Sequence, residues 1–283
     1  MTRKLGDATL TMVNGGYFRL DGGAMHGVVP KTLWSRLSSC DDKNRCSYAT
    51  NCLLVEIGHK RLLVETGNGD KFSPRDKDLY GIDHDRSVAV ALAELGVEAA
   101  SIDYVVMTHL HFDHAGGSTR KTESGSLDPV FPRAQHIVQR AELDAATHAH
   151  ERNRASYLAE NFAPLLDAGL LQLVDGACEI VPGVSVIPTP GHSHGHQSIL
   201  IDGGNGEKAL FLGDVVPTQV HVRLPWIMGY DLNVEETLAS KKRIFARAIA
   251  ERWLVLWGHD RRHGGYLAYD GSGQPVVAEL VDV

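Results

Sequence analysis

The stretch THLHFDHAGG, residues 108–117, places His109, His111, Asp113 and His114 within six consecutive positions. In extended backbone, residues two apart point the same way. His109, His111 and Asp113 can therefore share a direction, and a turn at Asp113–His114 can bring the next imidazole round. Neutral imidazoles and a carboxylate suit zinc and its first-row neighbours manganese, cobalt and iron. The glycines of HAGG fit a backbone that must turn tightly. A single histidine is ordinarily structural or on the surface, and His59, His84, His136, His148, His150, His221 and His263 take that reading. The hexad is too dense for it and points to a metal. Four ligands from one loop crowd a tetrahedral ion that must keep a free position. The excess suggests two ions sharing further ligands from elsewhere.

Those further ligands stand at the ends of other apolar runs. Strand-length segments rich in Val, Ile and Leu recur at 52–58, 61–67, 103–109, 134–140, 184–191, 198–204, 209–214 and 253–259. Several end in a Gly or Asp turn signal. Past three of them lie His192 in TPGHSHGH, Asp214 in FLGDVV and His259 in LWGHD. Ligands collect on such loops because a rigid sheet positions them. A carboxylate has two oxygens, which makes Asp214 the natural bridge between ions. EIGHKRLL reads as a hairpin turn. Helices are expected over 86–97, over 155–170 as one helix or a pair of short ones interrupted by Pro164, and over 233–251, which opens on an Asn cap and early acids. The basic face KKRIFAR (241–247) is expected to be solvated, and the charged stretch 75–87 to be a surface loop. DGGNGEK (202–208) and DGSGQP (270–275) read as hairpin turns, not phosphate loops. Strands first, then strands mixed with helices, give an α/β arrangement with sheet buried under helices. No repeat or linker divides the chain, so 1–283 is expected to form a single domain.

Composition narrows the function classes. Hydrophobic residues make up 43% of the 283, enough for a sizeable core, and the net charge of -7 does not attract nucleic acid. No apolar stretch approaches the roughly 20 residues of a membrane span, and no signal peptide is expected. Cys40, Cys46, Cys52 and Cys178 lack the CxxC pairing of a structural zinc site. They read as ordinary thiols in a reduced cytoplasmic setting. No Gly-x-Ser-x-Gly elbow offers a serine nucleophile.

HLHFDH, then TPGHSHGH, LGD and WGHD, in that order and at those spacings, resembles the metallo-β-lactamase superfamily of metallohydrolases across about 50–260. The resemblance implies a four-layer αββα sandwich with the metal site on loops at one edge. Carried over by position, His109, His111 and His192 would bind one ion, and Asp113, His114 and His259 a second. Asp214 would bridge them, with a hydroxide between the ions. Asp113 would orient that hydroxide and pass a proton to the leaving group. His196 would lie close to the site without binding, and His194 would be exposed or in a supporting position. Glu65 departs from the family, which often carries Asp there to support the metal loops.

Within the superfamily, THLHFDHAGG, TPGHxxGHQS and the final GHD look like the branch of acyl-homoserine lactonases and methyl-parathion-type hydrolases. The implied activity is hydrolysis of a lactone or ester, foremost an acyl-homoserine lactone as in quorum-quenching enzymes. The same site also suits a phosphotriesterase or arylesterase, and a non-catalytic metal-binding homologue is the reading from another class. Zinc is the first expectation for the two ions, the partner is a small molecule, and a homodimer is common in this branch. Residues 15–34 resemble the branch's leading strand and the loop after it, so Met25, His26 and Val28 are candidates to line the cleft. Trp226, Met228 and Tyr230, from RLPWIMGYDL, are candidate pocket wall. Such lactonases often carry a Tyr three residues after the bridging Asp, where this chain has Pro217; Tyr157 and Tyr230 are the candidates to replace it.

Overall fold

The computed structural model describes residues 2–82 and 86–283; His84, with Asp83 and Asp85 of the charged stretch 75–87, lies outside them. Each expected apolar run contributes a strand. One seven-stranded sheet takes, in spatial and chain order, Thr2–Leu5, Ala8–Asp21, Arg45–Ile57, Lys60–Val64, Tyr104–Val106, Gln135–Gln139 and Leu171–Val174. The second takes Cys178–Val181, Val184–Pro188, Gln197–Asp202, Lys208–Phe211, Leu254–Leu256, Gly264–Tyr269 and Pro275–Val281, again in chain order. Pairing is antiparallel where a hairpin joins neighbours, as at Ile57↔Lys60 and Asp202↔Lys208. It is parallel where a longer connection returns, as between Lys60–Val64 and Tyr104–Val106 or between Lys208–Phe211 and Leu254–Leu256.

Alternation along the strands sends side chains to two different cores. Leu10, Leu53, Val55, Val106 and Ile137 of the first sheet meet Val184, Ile199, Phe211 and Leu256 of the second in a buried layer between the sheets. Leu54, Leu63, Val105 and Val138 face outward against Val88, Ala91 and Leu92 of the helix Val88–Glu94. Leu210 and Val255 face outward against Ile244, Phe245 and Ala248 of the helix Val234–Ala250. The result is the four-layer αββα sandwich that the resemblance implies, two sheets face to face with helices outside. Full burial of one such aliphatic or aromatic side chain stabilises by about 1.5–3 kcal/mol, so the three clusters hold the sheet ends rigid beneath the loops that matter.

The long helix starts as its sequence implies, with the Asn233 side chain accepting from the Glu236 amide. Lys241, however, is fully buried, contrary to the expectation of a solvated basic face. Its Nζ donates to the carbonyls of Arg223, Leu224 and Trp226. Part of the charged stretch 75–87 is helical, not loop: Ser73 caps a turn over Pro74–Leu79. Over 155–170 the structure has a pair of short helices, Ala159–Asn161 and Ala163–Asp167, with Pro164 in the first turn of the second. Cys40 and Cys46 are joined in a disulfide, which corrects their reading as thiols. The loop between them doubles back, with the Asp41 carboxylate accepting from the Lys43 and Arg45 amides, and sets the two cysteines opposite each other in a β-bridge. Cys52 and Cys178 are free. Among the described residues no helix is long and apolar enough to cross a membrane.

Candidate metal centre

Both sheets deliver residues to one edge. His109 and His111 follow the strand Tyr104–Val106, and Asp113 and His114 sit in the single-turn helix Phe112–Ala115. His192 follows Val184–Pro188, Asp214 lies in the turn Gly213–Val215 after Lys208–Phe211, and His259 follows Leu254–Leu256. All seven are buried. They fall into two groups, His109–His111–His192 and Asp113–His114–Asp214–His259, with one donor atom per residue lying within 4.8 Å of the others in its group. Asp214 faces both. Its Oδ1 is 3.4 Å from His114 Nε2 and 3.1 Å from His259 Nε2, while its Oδ2 is 3.4 Å from His192 Nε2.

The donor chemistry fits divalent cations. His259 Nδ1 donates to the Ala49 carbonyl at 2.8 Å, and His192 Nδ1 to Asp231 Oδ1 at 2.9 Å. With Nδ1 committed to a carbonyl or carboxylate oxygen, Nε2 is the nitrogen each ring turns into the cluster, where it would offer its lone pair to a metal. His192 Nε2 lies 3.1 Å from His111 Nδ1, and His259 Nε2 lies 3.1 Å from His114 Nε2. His109 Nε2, His111 Nε2 and Asp214 Oδ1 are buried without a hydrogen-bond partner. Buried polar atoms are otherwise almost always satisfied, and lone pairs gathered this closely call for a positive charge among them. Electrostatics show the same demand for positive charge: Asp214 pushes His114, His192 and His259 up against their burial, His259 to about 10, so protons or metal ions are drawn into the cluster. Burial pushes the Asp214 carboxyl up, yet His259, His114 and His192 outweigh it and hold the group well below the usual range. Burial and the neighbouring imidazoles keep His109 and His111 neutral.

Supporting contacts hold the loops. Glu65 takes the left-handed conformation (φ 66°). Its Oε1 accepts from the Thr108 amide at 2.9 Å, and its Oε2 lies 3.3 Å from His114 Nδ1. The longer carboxylate thus serves both the strand end and a candidate ligand. His196 Nε2 accepts from the Asp214 amide at 2.9 Å, and His194 is exposed. Gly116 and Gly117 answer a different need from the expected tight turn. A Cβ on Gly116 would lie 2.0 Å from the Asn68 carbonyl oxygen, and one on Gly117 2.2 Å from that of Thr66. They let the hexad's helix lie directly on the 66–69 backbone.

A cleft of about 200 Å³ opens onto His111, Asp113, His192, Asp214 and His259. Met25, Met228 and Tyr230 line it with Leu20, Phe112 and Tyr80. Four other candidates do not. His26 is fully buried, stacked on Trp34 with ring centroids 4.7 Å apart and hydrogen-bonded to the Gly22 carbonyl. Trp226 packs edge-on against His26 inside the same cluster. Tyr157 rests its ring 4.6 Å from that of His111, but its hydroxyl donates to Glu142. Val28 is 92% exposed. The spacing of these residues carries no sign of which side of a loop faces the cleft. Sequence reasoning also missed Tyr80, at the end of Pro74–Leu79, and Arg152 and Ser156, in the turns of 151–156, which line the cleft, and Asp231, Glu142 and Lys241, whose partners are remote in sequence.

Comparison with known proteins gives one answer. The family model described as the metallo-beta-lactamase superfamily matches residues 48–259. An N-acyl homoserine lactonase of a Bacillus species is 32% identical over 222 residues, covering 74% of this chain and 80% of that one. Among solved structures, a probable metal-dependent hydrolase from Staphylococcus aureus superposes with a TM-score of 0.90 at 30% identity over 99% of both chains. An N-acyl homoserine lactone hydrolase, with its product N-hexanoyl-L-homoserine bound at the catalytic metal centre, superposes with a TM-score of 0.69 at 26% identity, over 92% of this chain and 95% of that one. The chain belongs to the metallo-β-lactamase superfamily and is an enzyme of its metal-dependent hydrolase type, with a metal-binding His/Asp cluster.

Proposed function

We propose that this enzyme hydrolyses lactones, foremost an N-acyl homoserine lactone, at a centre of two divalent ions, zinc in the first instance. The observation that carries the reading is Asp214 facing two complete ligand groups at the floor of one cleft. The relatives that hydrolyse acyl-homoserine lactones support the substrate class. The proposal takes His109, His111 and His192 as ligands of one ion, Asp113, His114 and His259 as ligands of the other, and Asp214 as the bridge. Both sheets supply ligands, so it also takes 1–283 as one catalytic domain.

Bound at such a site, two ions supply an activated water and polarise the carbonyl under attack. The chain's own residues do the rest. Burial pushes the Asp113 carboxyl up, but His114 and His259 outweigh it and keep it ionised. Asp113 can therefore orient the attacking water and carry a proton to the leaving alkoxide. Pro217 leaves no phenol three residues after Asp214, and Tyr157 is committed to Glu142. Tyr80 and Tyr230 line the cleft instead, and their hydroxyls have no hydrogen-bond partner among the described residues. Burial raises both phenol pKa values, so each keeps its proton and can donate to an oxygen gaining negative charge. Leu20, Met25, Phe112 and Met228 form an apolar wall suited to an acyl chain.

The test is ring opening of a medium-chain acyl-homoserine lactone by zinc-replete and chelator-stripped enzyme. The proposal expects zinc-dependent kcat/KM at or above about 10⁴ M⁻¹s⁻¹, lost in His111→Ala and Asp214→Ala with the fold kept. Zinc-dependent turnover of a phosphotriester or aryl ester, with the lactone untouched, would move the activity to those substrates. No turnover of any of them with zinc bound would favour a non-catalytic homologue.

A further inference from the structure

We infer that Glu142 is a positioning residue that presets the three-histidine half of the centre; the inference rests on the metal reading proposed above. Glu142 lies on the helix Arg140–Thr147 and is fully buried. Its carboxylate accepts four hydrogen bonds. Oε1 takes the Leu110 amide at 3.0 Å and the Tyr157 hydroxyl at 2.9 Å, while Oε2 takes the Ser193 hydroxyl at 2.6 Å and the Gly195 amide at 3.2 Å. Those four donors match the lone-pair capacity of an ionised carboxylate, which is how a charge is tolerated at such depth.

Where the donors sit is what matters. Leu110 stands between His109 and His111, and Ser193 follows His192. The two loops leave different sheets, and Glu142 ties them together through one carboxylate. Tyr157 adds a side wall, since its ring packs on His111. Gly195 is part of the same construction: a Cβ there would lie 2.2 Å from the Glu142 backbone nitrogen. Leu110 shares the hexad loop with Asp113 and His114 but stands between the two histidines of the first group, and the other three donors lie outside the segments carrying Asp113, His114, Asp214 and His259. Of the other buried supporting carboxylates, Glu65 contacts His114 of that second group and Asp231 contacts His192. Glu142 therefore holds His109, His111 and His192 in mutual reach before any ion arrives, and its removal acts first on that half of the centre.

The experiment is zinc titration of wild type and Glu142→Gln in competition with a chelating dye, with circular dichroism as the check on folding. The amide turns an NH2 toward donors that need an acceptor. Supporting hydrogen bonds of this kind are worth about 10–100-fold in metal affinity. The expected result is that one ion weakens by at least about tenfold while the other stays within about twofold. In a His259→Ala background, where only the three-histidine group is whole, Glu142→Gln is expected to remove the remaining ion. Tyr157→Phe and Ser193→Ala each delete one donor, should shift the same ion in the same direction by less, and carry the test if Glu142→Gln does not fold. In stripped protein, the amides of Leu110 and Gly195 should exchange faster in Glu142→Gln. Equal weakening of both ions, or no weakening, overturns the assignment to Glu142. A wild type that takes up no zinc overturns the metal reading itself, and the Glu142 role with it.

Discussion

His192 and Asp231 form a buried pair in which imidazole Nδ1 donates to Oδ1 at 2.9 Å. A carboxylate oxygen only accepts, so the bond fixes the histidine tautomer and turns the Nε2 lone pair toward Asp214. The backbone repeats the tie, because the Leu232 amide donates to the His192 carbonyl. Asp231→Ala frees the ring to rotate and to change tautomer. Zinc affinity is expected to fall by about 10–100-fold, measured by chelator competition. An unchanged affinity would mean that the loop alone holds His192 in place.

Tyr230 is the phenol of the cleft wall nearest to the sequence expectation, and its hydroxyl has no other work among the described residues. If it donates to an oxygen on which charge develops, the loss should appear in kcat and not in KM. Tyr230→Phe is expected to lower kcat on the lactone by about tenfold to a hundredfold, with zinc content unchanged. A rise in KM alone would reduce Tyr230 to a wall residue and pass the donor role to Tyr80.

Much of the fold was legible because apolar runs and their turn residues report strands directly: 198–204 and 209–214 pair at Ile199↔Phe211 across the turn that DGGNGEK marks. The seven candidate ligands stood out because metal ligands are chemically rare residues at loop ends. Their supports did not. Asp231, Glu142 and Lys241 look like ordinary surface charges, and only the folded chain brings Asp231 to His192, 39 residues away. Facing is equally hidden, as Met25 reaches the cleft while its neighbour His26 turns inward onto Trp34.

Lys241 anchors the segment that leads to Met228 and Tyr230. Burial disfavours its charge, but the carbonyls of Arg223, Leu224 and Trp226 engage all three ammonium donors. Lys241→Met fills the same space and takes the ammonium donor from all three carbonyls, of which that of Arg223 keeps the Trp226 amide and that of Trp226 is buried. Destabilisation of about 2–4 kcal/mol is expected in urea unfolding, with a raised KM because the cleft wall loosens. Wild-type stability in the variant would show that water replaces the ammonium at no cost.

His136 gives a stability effect whose direction can be worked out from burial. It sits fully buried in the strand Gln135–Gln139, with Nδ1 on the Ala134 carbonyl and Nε2 unpartnered. Burial pushes its pKa from 6.5 down to about 4. Between those two values the unfolded chain binds the proton and the folded chain does not. Stability therefore rises with pH through that window, and is lost as pH falls from 6.5 toward 4. A shift of this size is worth about 3 kcal/mol at the acid end. His136→Leu has no proton to bind, so its unfolding free energy should fall less steeply than that of wild type below pH 6.5, while above pH 7 the two curves run parallel. The check is urea unfolding of both proteins from pH 4 to 8 with saturating zinc. Parallel curves across the whole range would mean that His136 is protonated in the folded protein, or already shielded in the unfolded one.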